Sequence, residues 1–145
     1  MILKCGNVYV YFCKWLPTPH DKIALCVSEK ASWFFWFNSV ASTHGHGQLR
    51  IAAKEHPACP RTCFLDMSGI QRAPAEALQD AKDRGAISDP LRARILAALQ
   101  QKIATLPDLQ RLTVLRNLTP AATTSPSTGS APQRGQSPGG ASSSD

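Results

Sequence analysis

Two short apolar runs joined by a polar connection constrain the fold of this chain more than any other feature. Ile23–Val27 and Trp33–Phe37 are each about as long as one strand, and both are rich in β-branched or aromatic residues. The polar segment 28–32 between them is suited to a hairpin turn. Many of the aromatic residues of the chain lie in this stretch or just before it, so we expect the core to be built around this hairpin.

Three further segments have the composition of short strands. They are Val8–Cys13, Gln48–Ala52 and Cys63–Met67. Between them lie segments rich in proline, glycine and small polar residues, which favour turns and loops. Short strands joined in this way predict a small, strongly bent sheet or barrel over residues 1–71.

The pattern changes from strands to helices after residue 72. Ala75–Arg84 is rich in helix formers, and a second helix is expected to begin at Ser88 or Asp89. A third helix is expected to begin at Thr105. The apolar residues predicted to be buried are Leu91, Ile95, Leu99 and Ile103 in the second helix, and Leu109, Leu112, Leu115 and Leu118 in the third.

The composition changes again near the end of the chain. From Thr119 onward the residues are mainly Ala, Thr, Ser, Pro and Gly, with no large apolar side chain. Such a segment buries too little surface to offset the entropy lost on ordering, so residues 119–145 are predicted to be a disordered tail. Residues 1–118 are then expected to form one α+β domain, with the sheet in residues 1–71 and the helices in residues 73–118.

The net charge of +6 permits contact with nucleic acid, although the basic residues are dispersed along the chain. The five cysteines cannot all pair within a monomer, and the first residues lack the features of a secretory signal. No segment approaches the length of a membrane span. These features favour a cytoplasmic protein that does not enter a membrane.

Three segments together resemble the MazF/PemK-type toxin family. Gly6–Val10 resembles the turn that opens the family domain, although Asn7 stands where the family commonly has an acidic residue. Lys22–Ser28 and Phe34–Ser39 resemble its second and third strands, with Lys22 at the position of the catalytic arginine. The resemblance implies an SH3-like β-barrel with added helices, a homodimer without a cofactor, an antitoxin or other protein as partner, and activity on single-stranded RNA.

The resemblance also suggests which residues would contact RNA. Lys22 would neutralise a phosphate and Ser39 would hydrogen-bond to it. We add His20, because an imidazole titrates near neutral pH and is close in sequence to Lys22. The alternative is that all three are ordinary surface residues at strand ends and turns. Endoribonuclease activity and non-catalytic binding of protein or nucleic acid are both open at this point.

Aromatic residues supply the candidate surface for stacking of RNA bases. Trp15 and Trp36 are the residues expected to bind substrate in this way. Alternation along the third predicted strand puts Trp33, Phe35 and Phe37 on one face, and Phe34 and Trp36 on the other. One face must belong to the core, whereas the second could contact a ligand, a second subunit or a helix.

A group of histidines and cysteines offers an alternative function. It consists of His44, His46, His56, Cys59 and Cys63. Zinc prefers nitrogen and sulfur ligands of this kind, so a small zinc-stabilised binding module is a third hypothesis. The spacing differs from that of the usual zinc fingers, and a loop with two half-buried cysteines explains the same residues. A further hypothesis is that Cys63 is a catalytic nucleophile paired with His56.

Overall fold

The computed structural model describes residues 1–41, 47–101 and 106–120, and it has the α+β architecture that the sequence predicts. The strands are β1 (Asn7–Cys13), β2 (His20–Ser28), β3 (Trp33–Asn38), β4 (Gln48–Ile51), β5 (Cys63–Arg72) and β6 (Lys82–Ala86). The helices are α1 (Ala75–Gln79), α2 (Asp89–Gln100) and α3 (Asp108–Leu118). Most of the predicted tail lies outside the described residues, as do Ile103 and Thr105.

The six strands form one antiparallel sheet in the order β4-β5-β3-β2-β1-β6. The predicted hairpin is confirmed: β2 pairs with β3, and Leu25 lies opposite Phe35. Within the described ranges the order is linear and ends at β4 and β6. None of the helices in those ranges has both the length and the apolar character needed to cross a bilayer.

The prediction of one helix over Ala75–Arg84 is wrong in its second half. Helix α1 ends at Gln79, and the residues that follow form β6, which pairs with the outer edge of β1. The edge of β1 has unpaired N–H and C=O groups, and satisfying them outweighs the modest helix propensity of this segment. The sheet therefore extends into the part of the chain that the sequence pattern assigned to helices.

Both faces of the sheet are packed against other parts of the chain. Successive residues of a strand point to opposite faces, and they belong to two different core clusters. Leu25 and Phe35 belong to the larger cluster, which includes the apolar residues of α2 and α3. Tyr9 and Phe34 belong to a smaller cluster that α1 covers on the other face. Phe34 is fully buried and makes edge-to-face contacts with Tyr9 and Tyr11, so the chain itself occupies most of this second aromatic face.

Helix α2 has the boundaries and the buried face that the sequence indicates. The Ser88 hydroxyl accepts a hydrogen bond of 3.2 Å from the backbone N–H of Leu91, and Pro90 lies in the first turn. Leu91, Ile95 and Leu99 are fully buried, as predicted. This helix therefore anchors the larger core cluster.

For the buried face of α3 the prediction is confirmed for Leu118 and partly for Leu115, but it is wrong for Leu109 and Leu112, so the helix is rotated relative to the prediction. Leu109 and Leu112 are 79% and 53% exposed, and the buried residues are Arg111, Val114 and Leu118. Residues advance by about 100° each around a helix, so Leu109 and Leu118 lie on nearly opposite faces. Arg111 occupies the buried face because its guanidinium donates a hydrogen bond of 3.2 Å to the carbonyl oxygen of Leu99.

Gly6 joins the first residues of the chain to the sheet and to α2. Its φ is +91°, its N–H donates to the carbonyl of Cys26, and its carbonyl accepts from the N–H of Ile87, both at 2.9 Å. A Cβ at this position would lie 2.8 Å from Arg92 Nη2. The position therefore favours glycine both by its backbone conformation and by the close approach of Arg92.

Replacing Gly6 with alanine is expected to destabilise the protein by roughly 1–3 kcal/mol from backbone strain, plus the cost of displacing Arg92. Gly85→Ala is the matched control, because its φ is +93° and no atom lies within 4 Å of the added Cβ. Chemical denaturation of both variants should show the larger loss for Gly6→Ala. Equal losses of stability in the two variants would mean that Arg92 can move away from the added Cβ without a measurable cost in free energy.

Candidate functional site

A cavity of about 340 Å³ lies where β2 begins and β3 ends. It is lined by residues 20–23 of β2, by residues 37–39 at the end of β3 and by the segment 59–63, and we refer to it as the strand-end cavity. His20, Lys22 and Ser39 all line it. The structure therefore brings the three predicted site residues to one cavity.

The strand registers explain why these distant segments meet. Ile23 of β2 lies opposite Phe37 of β3, so the start of one strand is beside the end of the other. Asn38 in turn lies opposite Phe64 of β5. The segment before β5 is therefore held against the same end of the sheet, which adds the cation of Arg61 to the cavity.

Lys22 is the cation of the strand-end cavity whose side chain has defined contacts with its neighbours. Its Nζ donates a hydrogen bond of 2.8 Å to Asn38 Oδ1 and lies 4.7 Å from the centre of the Trp36 ring. Desolvation by burial lowers the pKa of Lys22. In the described ranges, no carboxylate lies within 4.0 Å of Nζ, so Lys22 makes no ion pair there, although the charge of the more distant Asp66 partly offsets the lowering of its pKa.

His20 is exposed, and its hydrogen bond fixes which ring nitrogen carries the proton. Nδ1 lies 2.6 Å from the carbonyl oxygen of Thr18. A carbonyl oxygen only accepts, so Nδ1 must carry the hydrogen and the neutral ring has its lone pair on Nε2. Nε2 is then the atom that can accept a proton from a ligand.

Two polar side chains complete the site, and sequence reasoning identified only one of them. Ser39 is exposed just beyond β3, where its hydroxyl can donate to a bound group. Arg61 is exposed in the segment before β5 and was not among the predicted site residues. Arg61 has no motif around it, and only the pairing of β3 with β5 brings it near Lys22.

The two predicted substrate-binding tryptophans have different environments. Trp36 is half-buried, lies beneath Lys22 and donates a hydrogen bond of 2.8 Å from Nε1 to the Tyr11 hydroxyl. Trp15 is 43% exposed and lines a separate cavity of about 620 Å³. Asp21 lines both cavities, so the two are neighbours, but Trp36 supports Lys22 rather than lining either of them.

Of the histidines and cysteines of the zinc hypothesis, His56, Cys59 and Cys63 lie in the part of the chain that the structure describes. His44 and His46 lie outside the described residues. His56 is buried, with Nε2 3.1 Å from the carbonyl of Gly85 and Nδ1 accepting a 3.0 Å hydrogen bond from the N–H of Ala58. Both ring nitrogens are therefore engaged, which leaves His56 neither a metal ligand nor a base for Cys63 in this arrangement. Within the described ranges, no three potential ligands are grouped as a metal site requires.

Cys59 and Cys63 line the strand-end cavity together. A hydrogen bond between their side chains raises the pKa of the Cys59 thiol and lowers the pKa of the Cys63 thiol. The two sulfur atoms therefore interact directly, and Cys63 is the member that more readily becomes a thiolate.

Comparison of the chain with protein-family models, with curated proteins and with solved structures finds no match. The described lining of the strand-end cavity has two cationic side chains, an imidazole and two hydroxyl groups, against the single carboxylate of Asp21. This set is suited to a polar anion such as a phosphodiester.

Proposed function

We propose that this chain is a MazF/PemK-like protein that binds single-stranded RNA at the strand-end cavity. The observation that carries the proposal is the placement of His20, Lys22 and Ser39 on the same cavity. His20 and Lys22 lie at the start of β2 and Ser39 follows the end of β3, and the antiparallel pairing of the two strands brings these ends together. A shared location is what a phosphate-binding site requires of them.

The charges of the cavity support an anionic ligand. Lys22 and Arg61 are its two cations, and Asp21 is the one carboxylate among the described lining residues. The ammonium of Lys22 is held by Asn38 and Trp36, both neutral, so a phosphate oxygen can add to its contacts without displacing a carboxylate. The net charge of +6 favours the approach of a polyanion to the whole surface.

Cleavage of the bound strand is the catalytic form of this proposal. Nε2 of His20 would take the proton of a ribose 2′-hydroxyl, which then attacks the adjacent phosphorus. Lys22 and Arg61 would stabilise the charge on the phosphate oxygens, and the Ser39 hydroxyl would donate to one of them. The leaving 5′ oxygen would take its proton from water, and the products would be a 2′,3′-cyclic phosphate and a 5′-hydroxyl.

A non-catalytic interaction protein is the second candidate. The observation that favours it is the chemistry of Lys22, because an ammonium is a point charge and cannot make the bidentate contact of an arginine. One of its hydrogens is also used by Asn38. In this case the cavity would bind RNA and leave the strand intact.

The resemblance also leads us to propose an SH3-like curvature of the sheet, a homodimer and an antitoxin or other protein partner. Register shifts interrupt the pairing of β1 with β6, β2 with β3 and β3 with β5, and such irregularities bend a sheet. Leu109 and Leu112 are large exposed apolar residues of α3 on which a second chain could pack.

Binding of a fluorescent, unstructured RNA to the Lys22→Ala variant tests the site. We expect the dissociation constant measured by fluorescence anisotropy to rise about 10- to 100-fold, because a hydrogen bond to a charged group is lost. The slope of the logarithm of the association constant against the logarithm of the salt concentration should decrease in magnitude by about one. Lys22→Arg keeps the charge and should retain most of the affinity.

Lys30→Ala is the matched control for this experiment. It removes the same charge, but Lys30 lies in the turn between β2 and β3, at the opposite end of these strands from the cavity. Its effect should be limited to the small change in overall charge. If Lys22→Ala and Lys30→Ala weaken binding equally, RNA does not bind at the strand-end cavity.

A further inference from the structure

Cys59 and Cys63 form a thiol pair that the proposed RNA chemistry does not use. Both are free thiols, 1% and 9% exposed, and both line the strand-end cavity. Both belong to the larger core cluster, and each shifts the pKa of the other thiol, as neighbouring side chains do. The pair is therefore shielded from bulk solvent and accessible only to a small molecule that enters this cavity.

The backbone holds each member of the pair in place. The N–H of Cys59 donates to the carbonyl of His56 at 2.9 Å, and its carbonyl accepts from the N–H of Lys54 at 2.8 Å. Cys63 is the first residue of β5 and lies opposite Ile51 of β4. The two thiols are consequently kept in contact by structure on both sides of the short connection between them.

The position of the two cysteines on one cavity is suited to a disulfide. Two cysteines can be joined when their Cβ atoms are roughly 3.5–4.5 Å apart, and only three residues separate this pair where both line the strand-end cavity. Residues 60–62, which connect the pair, include the exposed Pro60 and Arg61, so they can adjust without disturbing the core. We therefore expect side-chain rotation and movement of this connection to bring the sulfurs together.

We propose that Cys59 and Cys63 are a modification site at which a hydroperoxide forms a reversible intramolecular disulfide. The Cys63 sulfur attacks one peroxide oxygen, the O–O bond breaks, and Cys63 becomes a sulfenic acid as hydroxide leaves. The Cys59 sulfur then attacks the Cys63 sulfur, the S–O bond breaks, and water leaves. The two thiols are oxidised, and one hydrogen peroxide is reduced to two waters.

The disulfide is expected to change RNA binding, and this consequence depends on the proposed function. Drawing the ends of the connection together should change the conformation of residues 60–62. Arg61 belongs to this connection, so we expect its position at the cavity to change as well. The oxidised protein should therefore bind single-stranded RNA several-fold more weakly than the reduced protein.

Peptide mapping of the full chain tests the disulfide directly. Trypsin cuts after Lys54, Arg61 and Arg72, so Cys59 and Cys63 fall in the separate peptides 55–61 and 62–72. After treatment with hydrogen peroxide and blocking of free thiols, we expect these two peptides to be linked in non-reducing mass spectrometry. Dithiothreitol should separate them, and Cys59→Ser should abolish the linked species.

The outcomes distinguish the modification from the proposed function. Peptides that stay unlinked, or a link from either cysteine to Cys5, Cys13 or Cys26, would overturn the modification site, and the wild-type protein alone can give this result. A linked pair with unchanged RNA affinity would overturn its effect on binding. Absence of RNA binding by the reduced protein would instead count against the proposed function and leave the disulfide unaffected.

Discussion

If the protein cleaves RNA as proposed, replacing His20 with alanine is expected to slow cleavage about 10²- to 10⁴-fold, the usual contribution of a positioned general base. The substrate would be an unstructured RNA labelled at both ends, and the products would be separated on a denaturing gel. The physical reason is the lone pair on Nε2, which the Nδ1–Thr18 hydrogen bond keeps available. Alanine removes that lone pair and leaves the cations of the cavity in place.

Two controls identify the chemistry behind this loss. Added imidazole should partly restore cleavage by His20→Ala, because a free base can enter an exposed site. An oligonucleotide with 2′-deoxyribose throughout should bind and remain intact, since the attacking hydroxyl is absent. Cleavage by His20→Ala at the wild-type rate would remove His20 from the mechanism. RNA binding without cleavage by the wild-type protein would favour the non-catalytic candidate.

The central hairpin and the second helix could be predicted because their signals are local. Ile23–Val27 and Trp33–Phe37 are apolar runs of strand length on either side of a polar turn. The start of α2 is marked by Ser88 and Pro90 and its buried face by residues four apart, and neither feature depends on the rest of the chain. Lys22 and Ser39 were paired as a site by the family resemblance, and they line one cavity because they lie at the same end of this hairpin.

The features that sequence reasoning missed depend on contacts between distant segments. Residues 82–86 are a strand only because the edge of β1 is available to pair with them. Arg61 joins the site only because β3 pairs with β5, which follows β4 in the chain. A local pattern contains neither pairing, so the missing cation and the sixth strand could not be identified from it.

Replacing Leu118 with alanine is expected to reduce the free energy of unfolding by about 2–5 kcal/mol, as for other fully buried leucines. Its side chain is 0% exposed and belongs to the larger core cluster. Leu112→Ala is the matched control, because it makes the same chemical change on the same helix at a residue that is 53% exposed. The control should change stability by no more than about 0.5 kcal/mol.

Urea denaturation of both variants, followed by fluorescence of the tryptophans, measures the difference. If both variants unfold in two-state transitions with equal m-values, the difference in stability comes from the packing of α3 in the folded protein. If Leu112→Ala reduces the free energy of unfolding as much as Leu118→Ala does, the Leu112 side of the helix must be packed against a second chain or another part of the same chain. Repeating the measurement over a range of protein concentrations distinguishes these two cases. Self-association makes the free energy of unfolding depend on protein concentration, whereas packing within one chain does not. The comparison therefore tests the rotation of α3 and the proposed homodimer in one experiment.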